Sequence, residues 1–141
     1  MTIYIPKLKE LPIQKMRQLD PTAQCSVIES DRTVTAFAYE WPDLRVVINV
    51  MPGSELPQHL QGFIGFIRQG CTRLKRPVDD SLERRILSTT FVLGFVVERK
   101  AQPDCWQERV QNMIGTIAFN TGSLVFWEGR IFDEHAKPLF P

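Results

Sequence analysis

The stretch from Phe91 to Trp127 constrains the fold most, because two different hydrophobic periods meet in it. Phe91 to Val97 is apolar at every position, the pattern of a strand covered on both faces. Gln102-Pro103 interrupts the run, and Asp104 is suited to cap a helix, with Gln107 three residues on to complete a capping box. Trp106, Val110, Met113, Ile114 and Ile117 then recur at offsets of four, seven, eight and eleven, which places them on one helical stripe. Gly122 supplies a stop, and Leu124 to Trp127 resumes as a strand. The unit is therefore strand, helix, strand, with Val110, Ile114 and Ile117 expected to pack on Phe91 to Val97.

The rest of the chain is built around that unit. Thr2 to Ile5 reads as a short strand ended by Pro6, and Pro12 to Leu19 as a short helix with a narrow apolar stripe. Gln24 to Glu29, Thr33 to Glu40 and Leu44 to Met51 read as three strands joined by short turns, hence an antiparallel meander. Ser54 is placed to cap a second long helix, which repeats Leu56, Leu60, Phe63, Ile64 and Ile67 and stops at Gln69-Gly70. Asp80 with Glu83 suggests a capped short helix burying Leu82 and Ile86. Arg130 to Asp133 is a last strand, and the tail from His135 is expected to be irregular. The fold class that follows is α+β, one domain over residues 1–141. Its sheet is antiparallel or mixed, with the two main helices on one face and an element order compatible with a ferredoxin-like arrangement.

Composition enters chiefly by exclusion. With 141 residues, 43% of them hydrophobic, the chain can bury a core without a metal or disulfide staple. Cys25, Cys71 and Cys105 are odd in number and form no Cys-x-x-Cys pair, so free thiols in a reducing cytoplasm are expected. No run approaches the ~18 apolar residues of a membrane span, and no membrane partner is expected.

Candidate chemistry is sparse. His59 and His135 stand apart from any metal-ligand spacing, and no phosphate loop or nucleophile elbow is present, so neither a metal nor a cofactor is expected. Cys105 lies at a helix start, but Asp104 beside it opposes the activation that a helix dipole would supply. Arg68, Arg73, Lys75, Arg76, Arg84 and Arg85 form a basic stretch that is a candidate anion site, and Cys71 within it is a candidate reactive thiol. Asp79, Asp80 and Glu83 are interspersed, and no aromatic residue lies between Arg68 and Arg85 to stack bases. A solvated surface is therefore favoured, and a nucleic-acid partner disfavoured.

The aromatic residues point elsewhere. Phe126 and Trp127 are adjacent on a strand and must face opposite sides, while Phe37 and Tyr39 share one face of an earlier strand. If both long helices cover a single sheet face, these four side chains need a second cover. A twofold copy of the chain supplies one, unless the helix Pro12 to Leu19 folds over that face. The function expected on these grounds is a non-catalytic protein-contact domain that forms a homodimer. The alternative is a small-molecule or anion-binding protein, or an enzyme, working from the basic stretch.

Overall fold

A computed structural model of the chain describes residues 1–100 and 105–141. In chain order the elements are β1 Thr2–Pro6, α1 Ile13–Arg17, β2 Gln24–Ser30, β3 Thr33–Glu40, β4 Leu44–Val50, α2 Leu56–Arg73, α3 Asp80–Leu87, β5 Thr89–Arg99, α4 Trp106–Thr121, β6 Leu124–Trp127, β7 Arg130–Phe132 and β8 Pro138–Phe140. The described residues form one antiparallel eight-stranded sheet, ordered β2-β3-β4-β5-β1-β6-β7-β8. The fold is α+β, and the expected meander is β2-β3-β4.

The short N-terminal strand is the centre of this sheet. Ile3 lies between Leu93 of β5 and Val125 of β6, and Tyr4 between Val92 and Leu124. Since β1 runs antiparallel to both neighbours, β5 and β6 are parallel to each other, with α4 crossing over the strand inserted between them. That makes one split β-α-β unit. The expected ferredoxin-like order needs a second, whereas β4 and β5 pair directly as antiparallel neighbours despite the α2–α3 excursion between them.

Both faces of the central strands are covered, and this corrects the expectation that the two long helices share a face. Successive residues of a strand point to opposite sides. Ile3, Ile5, Leu93 and Val125 pack with Val110, Met113, Ile114 and Ile117 of α4 and with Met16 of α1. Tyr4, Val92 and Leu124 pack with Leu60, Phe63, Ile64 and Ile67 of α2 and with Leu82 and Ile86 of α3. The α4 stripe is buried as expected, but it crosses chiefly over β1 and β6 rather than β5. Each helix carries only one apolar stripe, so a strand with consecutive buried residues needs one helix on each side.

The helices cover the two faces unequally. On the α4 side the core reaches Phe37, Tyr39, Val46 and Ile48 of β3 and β4. On the α2 side it reaches Ile131 of β7 and Phe140 of β8. The α2-side surface of β2–β4 lies beyond that core and mixes small and polar groups with two aliphatic side chains, the exposed Ile28 and the half-buried Val47. Ala36 and Ala38 sit there with an exposed Asn49, and Arg45 lies 3.1 Å from Glu40 and 3.6 Å from Glu98.

Several boundaries differ from expectation for local reasons. The cap of α3 is Asp79, one residue early, whose carboxylate accepts from the amides of Ser81 (2.9 Å) and Leu82 (3.2 Å). Glu83 is thereby freed to pair with Arg68 of α2 at 2.7 and 2.9 Å. At the start of α2 the capping position is Glu55 rather than Ser54, with no side-chain cap bond. That helix also runs past Gly70, because Gly70 serves packing rather than termination: a Cβ there would lie 2.6 Å from Cζ of Phe140. The tail is accordingly not irregular, since β8 pairs with β7 and buries Phe140. Gly62 and Gly65, by contrast, face open space on the exposed side of α2 and assist no close packing. The capping role assigned to Asp104 lies outside the described residues, and Cys105 precedes the first turn of α4 at a φ of 56°.

Candidate interaction surface

The four aromatic residues expected at an interface meet different fates. Phe37 and Tyr39 are wholly buried within the chain and offer no area to a partner. The cover is α1, as the rival expectation had it: the Tyr39 hydroxyl donates to the Met16 carbonyl at 2.5 Å, and Met16 itself is buried. Burial raises the Tyr39 phenol well above its ordinary pKa, so it stays a donor. Phe126 and Trp127 do face opposite sides. Phe126 lies under α2, edge-on to Phe63 at 5.3 Å and to Phe66 at 5.6 Å. Trp127 lies on the α4 side, where no helix continues beyond α4 to cover β6 and β7.

A cleft of about 500 Å³ opens at that place, between the C-terminal half of α4, strands β6 and β7, and the turn at residues 133–136. Its depth has a sequence cause. The α4 positions that meet it are Gln111, Ile114, Gly115, Ala118 and Phe119; two of the five are small, and a Cβ at Gly115 would have nothing within 4 Å. Val125, Trp127 and Phe132 supply the sheet side. Phe119 stands at the edge with 64% of its surface exposed, the largest value among the large apolar side chains of the described residues. The His135 ring meets it edge-on at 5.8 Å.

The rim of the cleft is held by polar bonds. Asp133 accepts from the amides of His135 and Lys137, both at 2.9 Å. Desolvation works to raise the Asp133 carboxyl, but these bonds, together with the electrostatic pull of His135 and Arg85, hold the group below the usual carboxylate range. Glu134 forms an ion pair with Arg85, which also donates to the Gly122 carbonyl at 3.3 Å, where α4 ends. The turn is thus tied both to α3 and to the end of α4.

The basic residues do not converge. Arg68 is engaged by Glu83 and Arg85 by Glu134, while Arg73, Lys75, Arg76 and Arg84 are exposed and have no carboxylate within ion-pair distance among the described residues. None of the six lines the cleft. Cys71 is buried in the core between α2, α3 and the sheet, so its thiol faces apolar side chains instead of the cations. Cys25 belongs to the strand surface on the α4 side and Cys105 to the start of α4, and all three thiols are unpaired.

No known protein family, characterised protein or solved structure matches this chain. Among the described residues no cluster of histidine, cysteine and carboxylate groups could hold a metal ion, and no helix is long and apolar enough to cross a membrane.

Of the four aromatic residues expected at an interface, Trp127 is half-buried and lines the cleft. Phe119 is one of five aromatic residues between positions 119 and 140, which by itself does not mark it out. The sharper signal lay in its helical position, since it falls outside the stripe of Val110, Met113, Ile114 and Ile117 and so on the solvent side of α4. Gly115 and Ala118 had no local signal, because a missing side chain becomes a hollow only when a neighbouring strand stands across from it.

Proposed function

We propose that the protein acts by protein–protein contact and pairs with a second copy of itself through the cleft between α4 and β6–β7. The observation that supports this is the juxtaposition of a protruding aromatic, Phe119, with a hollow floored by Gly115 and Ala118 on one surface. A twofold interface must be self-complementary, because each patch meets its own copy. A knob beside a hole satisfies that condition: Phe119 of each protomer enters the other's cleft and packs against Trp127 and Phe132. Aromatic residues enriched at the centre of a patch, ringed by polar groups such as Gln111, Asp133 and His135, match the composition of stable interfaces. A second reading, a small apolar ligand in the same cleft, is favoured by its volume, which falls within the ~300–1,000 Å³ of small-molecule sites.

Light scattering on the purified chain at micromolar concentration tests the pairing. The expected mass is twice the 16.3 kDa of one chain. Gly115→Leu fills the hollow, so its expected mass is that of one chain. Its thermal midpoint should not fall, because the new side chain enters open space and a mid-helix glycine is removed, worth roughly 0.5–1 kcal/mol. Phe119→Ser removes the knob and should have the same effect on mass. A wild-type mass of 16.3 kDa, or a Gly115→Leu variant that remains paired, refutes the proposal. Ligand-free monomer whose unfolding midpoint rises with small apolar compounds, in a Gly115-dependent way, supports the second reading instead.

A further inference from the structure

We propose that the connection between α2 and α3 is a docking site for an acidic amphipathic segment of a partner protein. This site is separate from the cleft and does not require self-association; only the premise of protein contact is shared with the function proposed above.

Arg73, Leu74, Lys75, Arg76, Pro77 and Val78 are consecutive and all exposed. Leu74 shows 49% of its surface and Val78 40%, so two aliphatic side chains stand in water among three cations, with Arg84 exposed on the following helix. Two of the three nearby carboxylates are engaged elsewhere. Glu83 is held by Arg68, and Asp79 caps α3. The segment is also held in shape. The Lys75 amide donates to the Thr72 carbonyl at 3.2 Å, and the Arg76 amide to the Cys71 carbonyl at 2.9 Å, with Lys75 at a φ of 53°. Both ends are anchored in the core, by Cys71 before the connection and Leu82 after it. The backbone carrying the cations has thereby lost part of the freedom that binding would otherwise remove.

The charge pattern selects the class of partner. Arginine forks pair with carboxylates two bonds at a time, and the exposed Leu74 and Val78 match apolar positions interleaved with those carboxylates. Asp79 and Asp80 adjoin the cations. A phosphate backbone or an anionic bilayer is repelled by them, whereas a protein face of mixed charge can place a cation opposite. Bases would moreover find no aromatic side chain between Arg68 and Arg85 on which to stack.

The test is fluorescence anisotropy of the full chain with a labelled synthetic helical peptide carrying leucine at successive i, i+4 positions, glutamate between them and one lysine to face Asp79 and Asp80. A scrambled peptide of the same composition, single-stranded RNA and phosphatidylserine vesicles serve as comparisons. The amphipathic peptide is expected to bind at least about tenfold more tightly than the scrambled one. Arg73→Glu with Arg76→Glu, and separately Leu74→Ser with Val78→Ser, should each weaken it by about tenfold or more. These side chains are exposed, so unchanged circular dichroism and light-scattering mass are expected in both variants. Equal affinity for the scrambled peptide, undiminished binding by the charge-reversed variant, or variant-sensitive binding of RNA or vesicles in place of the peptide overturns the proposal. Light scattering alone decides self-association, so the two proposals fail separately.

Discussion

Replacing Gly70 with alanine gives a sharp test of how the last strand is locked to the helical layer. An alanine Cβ would lie 2.6 Å from Cζ and 3.3 Å from Cε1 of Phe140. Carbon atoms are most favourably placed at roughly 3.5–4.0 Å, so the ring must retreat by about 1 Å. Overpacking of this kind costs roughly 1–3 kcal/mol. Against it stands the removal of a glycine from inside an 18-residue helix, a gain of about 1 kcal/mol. The net effect in the native background is thus between no change and a loss of about 2 kcal/mol. Phe140→Ala removes the obstacle, and in that background Gly70→Ala should be stabilising by about 1 kcal/mol. The double-mutant cycle isolates the contact, with an expected coupling of about 1–3 kcal/mol. Urea unfolding of the four proteins provides it, provided the denaturant slope stays constant across them. If Gly70→Ala is equally stabilising with and without the Phe140 ring, the ring does not pack on Gly70 and the placement of β8 is wrong.

Two further outcomes follow from named bonds. Tyr39→Phe deletes the hydroxyl that holds α1 over the sheet, while the Met16 carbonyl keeps the Leu19 amide at 3.3 Å; the expected loss is about 0.5–1.5 kcal/mol, with faster amide exchange in α1 but not in α4, and unchanged exchange in α1 would count against this role. The Glu83 carboxyl is held below its ordinary value of 4.5 by hydrogen bonds from Arg68, so the unfolded chain takes up its proton first as pH falls. Its contribution is complete above pH 4.5 and is lost as the pH drops through the lower folded-state value, so the urea midpoint of Glu83→Gln should fall less steeply on the acid side than that of the native chain; parallel acid limbs would show the pair contributes nothing.

The basic surface shows how far local reading reaches toward a site. That residues 68–85 are rich in arginine is plain from the chain, as is the lack of aromatic side chains among them. Which cations remain open is not. Arg68 and Glu83 are fifteen residues apart and Arg85 and Glu134 forty-nine, and only the packing of α2 on α3, and of the 133–136 turn beside α3, brings each pair together. The aromatic surface divides in the same way. Opposite orientations of Phe126 and Trp127 follow from the strand period, but which of the two lines a cleft depends on α2 extending over β6 on one side and α4 stopping short of β7 on the other.

What the chain determines by itself is what near neighbours can encode. The helical offsets placed Leu60, Phe63, Ile64 and Ile67 on the buried stripe of α2, and Val110, Met113, Ile114 and Ile117 on that of α4, because a period of about 3.6 residues is a property of a few consecutive turns. The same holds for the meander of β2 to β4, whose turns are short enough to dictate the pairing. Tertiary structure alone decided that Thr2–Pro6 is the middle of the sheet, that the long helices lie on opposite faces, that the tail closes the core as β8, and that a cleft opens beside Trp127. Each of these rests on partners distant in sequence, such as Ile3 with Leu93 and Val125, or Gly70 with Phe140. Apolar residues are attracted to any apolar surface without direction. Only the simultaneous closure of every strand pair and both helical layers selects which surface each one meets.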